Sequence, residues 1–242
     1  MDPFMKLSLW LCALALSCFH LHAASPPLFV AVKGRVELLK AKAKGGKVDA
    51  SGVVLWLEPL DGARAGLRRQ RQKLDQRNKR FVPHVVVVET GGEVDFPNND
   101  PFFHNVFSIY NGKRFDLGLY ASGEARPVLF NRPGVSYIFC NIHPQMSAIV
   151  ITLDTPYHAL TDATGNFAIS DVPSGRYRLQ VWHERALPAT LATLMQTVQV
   201  TANGLDLGVL RVSEEGYIPR PHPNKHGGDY DNPLNQAPYR KP

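Results

Sequence analysis

Residues 135–153 read VSYIFCNIHPQMSAIVITL, two runs of apolar and β-branched residues around the break Asn141-Ile142-His143-Pro144-Gln145-Met146. Each run has the length and composition of a strand, and the short Asn- and Pro-containing break closes them into a tight hairpin. Upstream lie Val85-Val86-Val87-Val88, Val94-Asp95-Phe96, the turn Pro97-Asn98-Asn99-Asp100-Pro101, and the runs 104–109 and 127–130. Downstream, 166–169, 176–183, 196–201 and 205–212 alternate with turns such as Ala163-Thr164-Gly165 and Pro173-Ser174-Gly175. Nearer the start, 29–39 and 53–57 are again apolar and β-branched, separated by Lys42-Ala43-Lys44-Gly45-Gly46-Lys47. Strands this closely spaced, with no long helical period among them, predict an all-β chain of antiparallel sandwiches. The last 30 residues, 213–242, are rich in Pro, Gly, Asn, Tyr and His and read as an extended tail lying on a surface.

The chain has 242 residues, 44% apolar and 20% charged, with 19 Gly and 19 Pro. That composition excludes a disordered, collagenous or polytopic membrane protein and leaves room for one or two domains. Lys6, the uncharged apolar run 7–19 and the small residues Ala23-Ala24-Ser25 read as a secretory signal over 1–24, which predicts a periplasmic mature protein. An uncleaved anchor or a lipoprotein Cys18 fits the pattern less well. Cys12 and Cys18 fall within the removed segment, so Cys140 is left alone in an oxidising compartment. Such a thiol persists if it is buried or bound to a metal.

The break at 141–146 decides between those two. With Cys140 before it, it offers a thiolate, an imidazole (His143) and a thioether (Met146) within seven residues, and Phe103-His104-Asn105 supplies a second imidazole from the end of an earlier strand. Two His and one Cys with a weak axial Met is the ligand set of a blue-copper electron-transfer site. Soft sulfur suits Cu(I), imidazole accepts both oxidation states, and a stiff β framework holds one compromise geometry for both. Zinc is the alternative metal, but it avoids Met and prefers more Cys or His. His84 and His158 have no ligand partner at useful spacing; His183 reads as a strand-end polar residue over an extra ligand, and His222 and His226 as adventitious metal binders at most, because their Pro/Gly-rich surroundings provide no preorganised cage.

On these residues, the segment 81–154 resembles the cupredoxins, with a ligand loop of the amicyanin type that shares its two-residue gaps and the Pro after the loop His. The resemblance implies a Greek-key copper domain holding one type 1 ion on His104, Cys140, His143 and Met146. It also implies that the Asn105 backbone N–H bonds the Cys140 sulfur and that the His143 edge is the electron's exit, with Phe102 and Pro144 in the apolar docking surface around it. The whole chain, including Phe115-Asp116-Leu117-Gly118-Leu119-Tyr120, is similar to exported proteins of the methylamine-utilisation or cupredoxin-domain group. That group implies a redox partner protein such as a dehydrogenase or a c-type cytochrome.

Thr161-Asp162-Ala163-Thr164-Gly165-Asn166-Phe167 with Val172-Pro173-Ser174-Gly175-Arg176-Tyr177 resembles the carboxypeptidase regulatory-like, prealbumin-type sandwich. Its opening strands sit far upstream, at Gly34-Arg35-Val36 and 53–57. The expectation is a discontinuous domain, 28–60 with 155–212, that receives the copper domain as an insertion between Leu60 and Tyr157. Residues 61–80 are read as a basic linker: 63–80 holds eight basic residues against Asp75, while the rest of the mature chain is close to neutral. Leu67 and Leu74 there permit a short amphipathic helix, with a solvated loop as the other reading. Arg68, Arg69 and Arg71 are candidates for steering an acidic redox partner or for weak attraction to anionic lipid; export argues against nucleic acid. The expected function is an electron carrier and not an enzyme, because copper oxidases and reductases need further His clusters and no phosphate loop, nucleophile–base pair or haem-attachment motif is present. A non-redox scaffold and a copper-delivery protein are the alternatives.

Overall fold

The computed structural model describes residues 29–39, 49–61, 66–109, 112–218 and 222–230. The expected signal segment 1–24 with Cys12 and Cys18, the Lys42–Lys47 turn material, Arg64 and residues 231–242 lie outside the described residues. The described residues form an all-β structure with one short helix. In chain order the strands are β1 (Phe29–Leu39), β2 (Val54–Pro59), β3 (Gln72–Lys73), β4 (Asp75–Gln76), β5 (Phe81–Val82), β6 (Val85–Glu89), β7 (Gly92–Pro97), β8 (His104–Ser108) and β9 (Phe115–Tyr120). There follow β10 (Ala125–Phe130), β11 (Gly134–Cys140), β12 (Ser147–Leu153), β13 (His158–Leu160), β14 (Asn166–Pro173), β15 (Gly175–Trp182), the helix α1 (Pro188–Leu194), β16 (Gln196–Val200) and β17 (Leu205–Ser213).

Two sandwiches result. In the terminal one, a three-stranded sheet ordered β14-β1-β17 shares a core with a four-stranded sheet ordered β13-β2-β15-β16. The chain leaves this sandwich after β2 and rejoins it at β13, which lies antiparallel to β2 with His158 opposite Trp56. Gly165 has φ +84, and a Cβ there would sit 2.1 Å from the Val36 carbonyl, so the turn before β14 requires glycine.

The inserted sandwich packs the five-stranded sheet β6-β12-β11-β8-β9 against β10-β7-β3 around Phe96, Val106, Phe130, Ile138 and Val150. Strand periodicity explains its unbroken apolar runs. In β6, Val86 and Val88 enter this core while Val85 and Val87 face the other way; in β12, Ala148 and Val150 face inward while Ile149, Ile151 and Leu153 face out. The outward set meets Val54 of β2 in a third cluster, flanked by Trp56 and Trp182, so β6 and β12 are buried on both faces and need no polar alternation.

Within the stretch read as a linker, Gln72–Lys73 pairs parallel with β7 and Asp75–Gln76 pairs with β5. The helix permitted by the Leu67 and Leu74 spacing does not form. Leu74 is fully buried in the inserted core while Lys73 beside it is exposed, a strand-like alternation that gives this segment a place in the sandwich. The helix α1, by contrast, was not legible as a period; its one local signal is a Pro in its first turn.

Candidate metal centre

Cys140 ends β11 and Ser147 opens β12, with Phe139 opposite Ser147. The loop between them closes on itself: Cys140 N–H donates to Met146 O at 3.2 Å and Met146 N–H to His143 O at 2.9 Å. On the other flank, β8 lies antiparallel to β11 with Val106 opposite Cys140, which brings His104, two residues before Val106, to the same end of the sheet.

That end gathers three donors. Cys140 Sγ is 3.6 Å from His104 Nδ1 and 3.8 Å from His143 Nδ1, and the donor atoms of the three all lie within 4.8 Å of one another. His104 and Cys140 are fully buried and His143 is half-buried. Phe102 packs against both imidazoles, with ring centroids 5.2 Å from His104 and 5.6 Å from His143, and so shields the cluster from water. Met146 is fully buried in the same core cluster as Cys140.

The orientation of His104 is imposed by a buried carboxylate. Its Nε2 lies 2.8 Å from Asp100 Oδ2; because an ionised carboxylate only accepts, Nε2 carries the proton and Nδ1 turns its lone pair toward the sulfur. Asp100 also accepts the N–H groups of Asn78 at 2.6 Å and Lys79 at 2.9 Å. Burial raises the Asp100 carboxyl, but the Lys79 N–H, the His104 ring and the Asn78 N–H together outweigh it and hold the group below its ordinary value. Asn98 fastens the same corner, donating to Phe102 O at 2.8 Å and to Tyr120 O at 3.2 Å.

Burial lowers His104 despite Asp100, and burial together with the like charges of His104 and Lys79 lowers His143 to about 4. Both imidazoles are therefore neutral near pH 7. Burial raises the Cys140 thiol, against the N–H groups of Asn105, Ile142 and His143, which bond the sulfur. Those three donors are already placed to stabilise a thiolate once a cation replaces the proton. Two neutral imidazoles and a thiol converging at a largely buried sheet end fit a metal ion by donor chemistry and by distance.

The other expected site residues are placed as follows. Pro144 is exposed and Phe102 half-buried beside His143, with Lys79 Nζ 5.4 Å from the Phe102 ring centre. Arg68 pairs with Asp171 at 2.7 Å, its backbone N–H bonding Glu89. Arg71 forms two bonds of 2.6 Å to Asp95, and the Arg69 backbone N–H donates to Glu89 at 3.0 Å. Two of the three arginines are thus joined to acidic neighbours, while Lys79 stands beside the cluster. Of the remaining histidines, His84 pairs with Glu184 at 2.8 Å, His183 with Glu214 at 2.9 Å and His158 with Glu89 at 3.9 Å. Sequence reasoning missed Asp100, which reads as part of a turn, and Asp116, whose Oδ1 accepts from Asn105 Nδ2 at 2.7 Å.

Among protein-family models none matches the chain, and no curated protein matches it. Solved structures similar to it include a novel purple cupredoxin from Nitrosopumilus maritimus, at 22% identity over 34% of this chain and 99% of that chain, with a TM-score of 0.32. They also include the Cu-containing nitrite reductase NirK from Thermus scotoductus SA-01, at 23% identity over 40% of this chain and 25% of that chain, TM-score 0.34. An amicyanin mutant in its Cu(I) form is 17% identical over 34% of this chain and 82% of that chain, TM-score 0.33.

Proposed function

We propose that the protein is a type 1 copper electron carrier, exported to the periplasm, in which His104, Cys140 and His143 would hold one copper ion with Met146 as a further, weak ligand. The observation that supports it best is the convergence of one sulfur and two Nδ1 atoms within 4.8 Å at a buried sheet end. A thiolate suits Cu(I), imidazole suits both valences, and a trigonal His2Cys set with a distant Met is the blue-copper arrangement. Bound copper would supply a one-electron couple. The chain supplies the rest: Asp100 fixes the His104 ring, the N–H groups of Asn105, Ile142 and His143 hold the sulfur, and Phe102 keeps water out.

The electron would leave through His143, whose half-buried ring lies beside exposed Pro144 and half-buried Phe102, an apolar patch for a redox partner of the c-type cytochrome or dehydrogenase class. The methylamine-utilisation likeness belongs to this reading of the partner. Lys79, with Arg68, Arg69 and Arg71 earlier in the same segment, would steer an acidic partner, and the on-rate would then fall as ionic strength rises.

The test is to add Cu(II) to the purified protein. One equivalent should produce an intense visible thiolate-to-copper band, and Cys140→Ser should abolish it. Copper binding without that band, or a band that persists in Cys140→Ser, overturns the proposal.

A further inference from the structure

Residues 222–230 lie against the ligand loop from 78 to 90 positions away in the chain. The His222 ring stacks on Phe139, centroids 3.8 Å apart at 24°, and its Nε2 lies 2.9 Å from Pro144 O. Lys225 N–H donates to Asn141 Oδ1 at 2.9 Å, and the Tyr230 hydroxyl donates to Cys140 O at 2.9 Å. The Lys225 ammonium pairs with Asp116 Oδ2 at 2.9 Å, and Asp116 in turn holds Asn105, whose N–H bonds the Cys140 sulfur. The segment is itself folded: Asn224 N–H donates to Gly228 O at 2.8 Å, and Asn224 Oδ1 accepts the N–H of His226 at 2.9 Å.

These contacts fall on Phe139, Cys140, Asn141 and Pro144, which bracket or include the thiol and the loop imidazole. Within the loop, the two backbone bonds of Cys140 and Met146 close the turn; the strap adds bonds to the Cys140 carbonyl, the Asn141 side chain and the Pro144 carbonyl from outside. A metal held by Cys140 and His143 leaves only if this loop shifts, and any such shift has to break the outer bonds as well.

We propose that residues 222–230 are a clamp on the ligand loop, with Lys225 and Tyr230 as its positioning residues, that slows loop opening and so retains the metal. The inference rests on the copper reading for the identity of the metal, and it separates a carrier, which keeps its ion, from a delivery protein, which gives it up. Coupling of this kind is reciprocal: the clamp holds the metal, and the metal protects the clamp.

The experiment compares the full chain with Tyr230→Phe, which removes one hydroxyl and no packing surface, and with Lys225→Ala. In the copper-loaded proteins, transfer of copper to excess bathocuproine disulfonate should be roughly three- to tenfold faster in Tyr230→Phe, the worth of one net hydrogen bond, and faster by a smaller factor in Lys225→Ala, which keeps the backbone bond to Asn141 and loses only the part-exposed ion pair to Asp116. In the metal-free proteins, hydrogen exchange at 139–146 should accelerate by a similar factor, and copper should slow exchange at 222–230 in the unmodified chain. Equal release rates with equal exchange overturn the clamp. Should the unmodified chain take up no copper, the copper reading fails by itself, and the metal-free comparison decides the clamp: faster exchange at 139–146 upholds it and equality overturns it.

Discussion

The two sandwiches are built from the same strand chemistry and differ in where they bury polar groups. In the terminal sandwich, buried Thr155 and Thr161 serve the backbone, donating to Leu57 O at 2.8 Å and Ala50 O at 2.6 Å, while the core around them is apolar. In the inserted sandwich, Gln76, Asn98, Asp100, His104, Asn105 and Cys140 are buried, and several of them converge at one end of the sheet. Among the described residues, ten of the thirteen buried polar side chains lie between 75 and 152, so the cost of burying polarity falls mainly on the sandwich that carries the cluster. Departures from an apolar core mark where a fold does something besides fold. Damage to the terminal sandwich should therefore cost stability without changing the candidate metal centre, and small changes at the inserted end should do the reverse.

The largest effect is expected from Ile169→Ala in the terminal core. Removing that fully buried side chain should lower stability by about 3 kcal/mol, read as a shifted urea midpoint, with the visible spectrum of the folded, copper-loaded protein unchanged. A bleached spectrum in a still-folded protein would mean that the two units are not separable.

Asp100→Asn comes next, at about 2 kcal/mol, because the N–H groups of Asn78 and Lys79 and the His104 ring lose an ionised acceptor. With a negative charge removed beside His104, Cu(II) loses support relative to Cu(I), so voltammetry should show a raised reduction potential. An unchanged potential would reduce Asp100 to a purely structural role. Met146→Leu conserves volume and should cost less than about 1.5 kcal/mol, and under the proposed ligand set, with Met146 a weak fourth ligand, it should shift both spectrum and potential.

The smallest effect belongs to the contact between the units. His84, just before β6, is raised from 6.5 first by its hydrogen bond to Glu184, just after β15, and the same bond is the main reason Glu184 is lowered from 4.5. The stability held by His84 is whole below about pH 6.5 and is lost as pH rises through its higher folded value; that held by Glu184 is whole above about pH 4.5 and is lost as pH falls. His84→Gln should thus destabilise most between pH 4.5 and 6.5, by less than about 1 kcal/mol for a pair this exposed, with the difference gone at pH 9. A pH-independent difference in urea midpoints would show that the ion pair does not join the units.

What could be read from sequence follows from how local the chemistry is. Cys140, His143 and Met146 lie close together in one loop, so their spacing is visible without a fold, while His104, expected at the end of a strand, in fact opens β8. Asp100 was hidden because Asn99-Asp100-Pro101 satisfies every rule for a turn, and only the positions of β8 and the 77–80 segment bring its carboxylate to His104. Val85–Val88 was recognisable as a strand, but its burial on both faces depends on Val54, some thirty residues upstream. Residues 222–230 have no period and are rich in Pro and Gly, which left a surface tail as the natural reading; their contacts depend on chain positions that no local pattern encodes. The 63–80 run misled through its charge, which concealed that Leu74 alternates with Lys73 as a strand residue does.

The shared site is tested most directly by X-ray absorption at the copper edge of the loaded protein. The predicted first shell is one short copper–sulfur contact and two imidazole nitrogens, with the sulfur lost in Cys140→Ser. A shell of nitrogen and oxygen alone in the unmodified chain would contradict a site shared by His104, Cys140 and His143.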